Sequence, residues 1–213
     1  SGYLWFLERG ASAIGFVDAT PYVRQNVFTA LDPVTGRPEY DPARVPGSGR
    51  VAEFCPSLWG GKDWPPAAFN PQTRLIYIPA NDNVCGRLKG DAEVEYRPGE
   101  AYMGASGDDI AIVLHPDAAT SIGELQAWNV DTASLVWRTP FKSHNWGPVL
   151  ATGGDLVFMG GTNDRYFRAF DARDGRILWQ QRTNSGVIGV PVTYQLADAQ
   201  YVAVLSGYGV DAE

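Results

Sequence analysis

The chain has 213 residues, 45% of them hydrophobic and 12% aromatic, with 24 Gly, 15 Pro and a net charge of −7. Such a chain can fill a sizeable core, as one all-β domain or a piece of a larger one. The acidic balance argues against nucleic acid as a partner, because phosphate binding needs a basic face; it leaves room for steering a basic protein. No apolar run approaches the roughly 18 residues of a membrane-spanning helix. No positively charged leader with an apolar core is visible among these residues.

In chain order, Tyr3–Leu7 is aromatic and β-prone and predicts a strand. Glu8–Ser12 is a turn, and Ala13–Val17 a return strand. Phe28–Asp32 leads into Pro33-Val34-Thr35-Gly36, a type I-like turn with Pro at its second position. Asp41–Arg50 is rich in Pro, Gly and charge and predicts a surface loop. The opening Ser1-Gly2-Tyr3-Leu4-Trp5 reads as mid-strand, and Gly209–Glu213 follows a strand directly. The expectation is an internal fragment of a longer protein.

The segment Phe54–Asn83, closed by Cys85, stands apart. It holds Cys55, Gly60-Gly61, Lys62-Asp63-Trp64, Pro65-Pro66 and a run alternating like a buried strand. The two cysteines lie thirty positions apart. Two Cys and two distant His make a zinc site implausible. Two buried thiols or one disulfide remain; a disulfide is expected, and with it an oxidising compartment such as the periplasm. Residues 86–109 follow as a long, charged insertion with little periodicity, carrying Arg87, Lys89, Asp91, Glu93, Glu95, Arg97 and Glu100. It is either a functional loop or a solvated one. Ile110–Leu114 predicts a short strand.

From Gly123 an internal repeat emerges. Leu125–Trp137 has the same shape as Phe167–Trp179, a strand ending in Ala-aromatic-Asp/Asn, a four-residue turn, and a strand ending in Trp. Ala127 and Ala169 are 42 positions apart, as are Trp137 and Trp179. A weaker copy runs from Ala30 to Tyr40. The Asp or Asn caps each turn, Gly36 and Gly175 suit a left-handed position, and Trp128, Trp137 and Trp179 are expected to pack between units. Further strands are expected at Pro148–Thr152, Asp155–Met159, Gly189–Thr193 and Tyr201–Leu205. Four short strands in a period of about 40–45 residues are the signature of a β-propeller. No sustained 3.6 period occurs, so helices should be few. Gly160-Gly161-Thr162 and Ser185–Gly189 look phosphate-like, but no helical pattern follows either, so they read as tight turns and close approaches between units. The pair Asp108-Asp109 lacks calcium-loop spacing.

The Ala-x-Asp…Gly…Trp repeats, together with Cys55–Trp64, His144-Asn145-Trp146-Gly147-Pro148 and Gly153–Phe158, resemble the pyrroloquinoline-quinone (PQQ)-dependent alcohol dehydrogenases. These are the methanol, ethanol and sorbose dehydrogenase-like quinoproteins. The resemblance spans residues 1–213 and implies an all-β fold of four-stranded antiparallel β-propeller blades with tryptophan-docking repeats, here at 123–137 and 165–179. The chain would supply later blades of an eight-bladed propeller, with a cofactor loop at 54–85. By position, Asp63 matches the polar residue that hydrogen-bonds the quinone. Methanol dehydrogenases carry Asn there, and an ionised carboxylate accepts but does not donate. Trp146 matches a Trp at the cofactor edge. Lys62 and Trp64 flank Asp63 as further candidate contacts; the plain alternatives are a solvated or ion-paired Lys62, a turn-capping Asp63 and a core Trp146. Cys55 and Cys85 correspond to a structural disulfide holding Gly60–Pro66, not to the vicinal pair that stacks on the quinone.

The family's catalytic Asp, its calcium or lanthanide ligands and the Trp beneath the quinone match nothing here, so no catalytic residue and no metal ligand is assigned. The resemblance implies a periplasmic dehydrogenase oxidising primary, secondary or sugar alcohols to aldehydes or ketones. Its electrons would pass to a cytochrome c or a membrane quinone, and the fragment alone would be inactive. The alternatives are a cofactor-free propeller acting as a protein-interaction scaffold and, more remotely, a sugar-binding propeller.

Overall fold

A computed structural model of the chain describes residues 2–93 and 95–207. Ser1 and the chain's last six residues lie outside the described residues, and with them the expectation drawn from Gly209–Glu213. The strands in order are β1 (Tyr3–Arg9), β2 (Ile14–Pro21), β3 (Phe28–Leu31), β4 (Pro38–Tyr40), β5 (Val51–Phe54), β6 (Ala68–Asn70), β7 (Leu75–Asn81), β8 (Val84–Lys89) and β9 (Ile110–Leu114). They continue as β10 (Gly123–Asn129), β11 (Ser134–Phe141), β12 (Leu150–Ala151), β13 (Leu156–Met159), β14 (Tyr166–Asp171), β15 (Ile177–Arg182), β16 (Val192–Leu196) and β17 (Ala199–Ala203). Helix among the described residues amounts to three single 3-10 turns, at Pro42–Arg44, Gly107–Asp109 and Pro116–Ala119.

The chain divides into two compact units: Ser1–Gly61 with Asn83–Ala118, and Lys62–Asp82 with Ala119–Glu213. The first holds the hairpins β1–β2 and β3–β4 and the sheet β5–β8–β9. Its aromatic side chains meet in sequence, Tyr3 with Phe28 at 5.5 Å, Phe28 with Tyr40 at 5.0 Å and Trp5 with Phe16 at 6.0 Å. Cys55 and Cys85 form the expected disulfide, joining the ends of paired strands β5 and β8.

The second unit holds two four-stranded antiparallel sheets, β6–β7–β10–β11 and β12–β13–β14–β15, and the hairpin β16–β17. One core serves both sheets, built from Leu75, Tyr77, Leu125, Ala127, Trp137 and Phe141 of the first and Val157, Met159, Phe170 and Ala172 of the second. The repeat read from sequence becomes identical register. Ala127 faces Trp137 and Ala169 faces Trp179, each with a bulge immediately after the Ala.

Capped turns produce these hairpins. The Asp32 carboxylate accepts from the backbone N–H of Val34 and Thr35, Asn129 from Asp131 and Thr132, and Asp171 from Arg173. The Thr35 contacts hold the Asp32 carboxyl below the usual carboxylate range. Asn70–Arg74 makes the same turn between β6 and β7, with Asn70 accepting from Gln72 and Thr73. The fifth residue takes positive φ in all four: Gly36 at 70°, Arg74 at 59°, Ala133 at 52° and Gly175 at 72°. The Asn70 copy escapes sequence reading because Arg74 stands where Gly was sought.

Several expectations need correction. The insertion does not begin at Gly86. Residues 86–89 complete β8, with Arg87 turned outward and Gly86 inward, and they pair with β5 and β9. The excursion as a whole, Asn83–Ala118, interrupts the first sheet between its second and third strands. In the weak repeat, a bulge sets Ala30 opposite Glu39 and leaves Tyr40 opposite Phe28, so the shared spacing of ten does not carry shared pairing. The run in β7 does not alternate; it is buried on both faces as a central strand. The strand expected at Pro148–Thr152 shrinks to Leu150–Ala151, and those expected at 189–193 and 201–205 shift to β16 and β17 around a two-residue turn with Ala197 at φ 51°. Trp128 and Trp137 are buried, but Trp179 is 50% exposed, edge-on to Phe167.

Candidate functional site

Each four-stranded sheet begins with a short strand, and the chain enters that strand through an irregular, glycine-bearing segment. The first entrance is built in two parts. Up to Gly61 it belongs to the first unit, where close contacts leave no room for a side chain. A Cβ on Gly61 would sit 2.3 Å from Val23 Cγ2 and 2.9 Å from the Tyr22 hydroxyl oxygen. Burial pushes that phenol up to about 12. The disulfide lies in this same unit, so its covalent hold on the loop is local to residues up to Gly61.

From Lys62 the loop belongs to the second unit. Lys62 Nζ donates to the main-chain oxygen of Asp63 at 2.9 Å. Burial lowers the Lys62 pKa, an effect partly offset by the Asp63 charge. Asp63 is exposed, and Trp64 is 55% exposed. Pro65 is buried, and the Pro66 carbonyl accepts from Val149 N–H at 3.1 Å. That bond sets the first entrance beside the second, residues 143–149.

The second entrance is fixed from several directions. Asn145 is fully buried; its N–H donates to Asn81 Oδ1 at 2.7 Å, and Asn81 Nδ2 returns a bond to its carbonyl at 3.3 Å. The Asn145 amide donates to the Glu124 carbonyl at 2.9 Å and to Met159 Sδ at 3.1 Å, and its oxygen accepts from Gly147 N–H at 3.0 Å. Between these anchors, Trp146 N–H donates to the Gly161 carbonyl at 3.0 Å. The approach requires glycine on both sides. A Cβ on Gly147 would lie 1.8 Å from Gly160 O, and one on Gly161 would lie 2.1 Å from Gly147 N. The Trp146 ring is half-buried and stacks on His144, with centroids 5.9 Å apart and planes 26° apart. Burial lowers the His144 pKa and favours the neutral imidazole.

The phosphate-like glycine motifs therefore serve as close-approach points, as read. In the third entrance, Ser185–Gly189, Val187 is buried against Gly160. Asp108 and Asp109 belong to the first unit, in a 3-10 turn where Asp109 faces Lys89 at 3.9 Å. His115 is a loop residue whose Nδ1 accepts from Asp117 N–H at 3.2 Å. Of the sequence candidates, Lys62, Asp63 and Trp64 share one entrance and Trp146 occupies the adjoining one. Asn81 was not foreseen, because a buried amide at a strand end has no sequence signature.

Blades of four antiparallel strands, tied by a Trp on the outer strand, define a β-propeller protein of the tryptophan-docking kind. The family model described as "Glucose/ethanol/alcohol dehydrogenase, beta-propeller domain" matches residues 8–202, and the chain belongs to that family. It is 33% identical over 217 residues to the quinoprotein alcohol dehydrogenase PedE of Pseudomonas putida, covering 98% of this chain and 33% of that protein. It is 34% identical over 211 residues to the lanthanide-dependent methanol dehydrogenase of Methylacidiphilum fumariolicum, covering 98% and 33%. A solved europium-containing methanol dehydrogenase superposes with a TM-score of 0.86 at 34% identity, over 98% of this chain and 35% of that one. The chain thus spans about a third of the length of the curated relatives it matches.

Proposed function

We propose that the full-length protein is a PQQ-dependent alcohol dehydrogenase, and that residues 62–66 and 145–149 form part of the wall of its cofactor site. One observation carries the placement: two entrances joined by the Pro66–Val149 backbone bond, which bear Lys62, Asp63, Trp64 and Trp146. The group to be held is a planar aromatic quinone with three carboxylates. The donor set fits it. Trp146 is half-buried beside His144, and Trp64 presents a second indole. Lys62 is a half-buried ammonium suited to a carboxylate, and the exposed Asp63, an acceptor, suits the pyrrole N–H of the group and not its oxygens. When bound, the quinone supplies the two-electron redox chemistry of alcohol oxidation. This chain's residues bind and orient it, and a calcium or lanthanide ion would be held by the rest of the protein.

Family membership supports an alcohol substrate. The disulfide favours an oxidising compartment, and the periplasm is the proposed location. A cytochrome c or a membrane quinone is the proposed electron acceptor, and sugar alcohols join primary and secondary alcohols as proposed substrates.

The test uses the full-length protein, with dye-linked oxidation of a panel of alcohols measured with and without PQQ plus calcium or a lanthanide. Absence of quinone-dependent activity on every alcohol would remove the dehydrogenase reading and leave the scaffold. Asp63→Ala and Trp146→Ala should each weaken quinone retention through gel filtration; unchanged retention in both would return these residues to turn and core roles.

A further inference from the structure

We propose that Asn81 and Asn145 form a positioning clamp for Trp146, setting the indole from the first sheet before the chain enters the second. The inference rests on the reading of Trp146 as a cofactor contact. Its basis is that three successive backbone N–H groups are anchored to different partners. Asn145 N–H goes to Asn81 Oδ1, Trp146 N–H to the Gly161 carbonyl and Gly147 N–H to Asn145 Oδ1. The Asn145 side chain thus bridges across Trp146, from the residue before it to the residue after it. Both Asn residues are buried, and together they make two reciprocal bonds plus those to Glu124 O and Met159 Sδ.

The neighbourhood is cut to receive this clamp. Asn81 ends β7 directly opposite Gly123 of β10. A Cβ on Gly123 would lie 2.4 Å from Ser143 O and 2.8 Å from Asn145 N, so that position must be bare for the segment to reach Asn81. Sealing a sheet junction could be done with apolar side chains, as most of this core is. A satisfied amide pair adds directional hold, which apolar packing lacks. A binding group whose support is rigid loses less freedom when its ligand arrives.

The test is a double-mutant cycle in the full-length protein with two independent readouts: quinone affinity, from titration of PQQ in the presence of calcium or a lanthanide, and unfolding by urea. Asn81→Ala should weaken PQQ binding by about tenfold, the order seen when an outer contact that orients a binding group is removed. In a Trp146→Ala background the same change should leave PQQ binding unaltered while lowering the urea midpoint as before. Asn81→Asp supplies a second variant, which keeps the acceptor for Asn145 N–H, replaces the donor to the Asn145 carbonyl by an oxygen and buries a carboxylate there, so its loss of stability should be at least as large. Its effect on binding should also vanish without Trp146. If Trp146→Ala leaves PQQ affinity unchanged, the cofactor reading of Trp146 falls, and the clamp's role falls with it. If Trp146→Ala weakens binding but neither Asn81 variant does, the clamp alone is refuted. Equal losses in both backgrounds would also refute it, since Asn81 would then act by another route.

Discussion

Gly175 offers a sharp test of how the two sheets of the second unit are joined. It occupies the left-handed position of its turn at φ 72°, and a Cβ there would fall 2.4 Å from Trp137 Cε3. The Trp137 indole lies flat on that bare backbone and donates Nε1–H to the Ala172 carbonyl at 3.0 Å. Gly175→Ala therefore meets two separable penalties. A non-glycine residue in the left-handed region costs about 1–2 kcal/mol. Displacing a packed indole is an overpacking change of about 1–3 kcal/mol. Trp137→Ala alone should destabilise by about 3–5 kcal/mol, as a large-to-small core change. In the Trp137→Ala background the clash is gone, so Gly175→Ala should there cost only the backbone part. The cycle predicts a coupling of about 1–3 kcal/mol, the size of the overpacking part. Urea unfolding followed by far-UV circular dichroism measures it without relying on tryptophan emission. Additivity to within about 0.3–0.5 kcal/mol would refute the claim that this indole and this glycine are packed on each other.

Other consequences are open to simpler measurements. Glu124→Ala removes the acceptor of the buried bonds from Gln126 Nε2 at 2.8 Å and Ser121 Oγ at 3.3 Å, and should lower stability by about 2–4 kcal/mol, with Glu124→Gln milder in thermal melts. Reducing the Cys55–Cys85 disulfide, which spans thirty residues, should destabilise by about 3–4 kcal/mol in urea titrations run with and without reductant. Burial lowers the His144 pKa, so the unfolded chain binds the proton more readily. The contribution of the neutral ring is complete above the unfolded value of about 6.5 and declines as pH falls through the lower folded value. His144→Gln should flatten the loss of stability between about pH 7 and pH 5; an unchanged slope would exclude His144 as its source.

What could be read from sequence was whatever repeats. The spacing of Ala127 and Ala169 from Trp137 and Trp179 carried both the strand pairing and the bulge, because the same turn chemistry recurs at Asn129 and Asp171. The Asn70 turn obeys the same physics but was hidden, since Arg74 adopts the left-handed position without the glycine that would advertise it. Trp179 shows the limit of analogy. It shares register with Trp137, yet one is 8% exposed and the other 50%, because burial depends on what packs over a side chain. The same holds at the candidate site. Lys62, Asp63, Trp64 and Trp146 stand out by residue type, whereas Asn81 and Gly123 matter only because the chain folds Asn145 between them.

The excursion between β7 and β10 also decides what a broken chain would do. Tyr96, 85% exposed in that stretch, is a natural point for a chymotrypsin-like protease to cut. A break there leaves β6 and β7 on one fragment and β10 and β11 on the other, although all four belong to one sheet. The β5–β8–β9 sheet would be divided in the same way, with β9 on the second fragment. The fragments would still meet along the full β7–β10 and β8–β9 registers, so the nicked protein should run as one species in gel filtration and as two bands after denaturation. Chain continuity at the tip of this excursion is then dispensable to the fold, which makes it a place for splitting the protein into complementing halves.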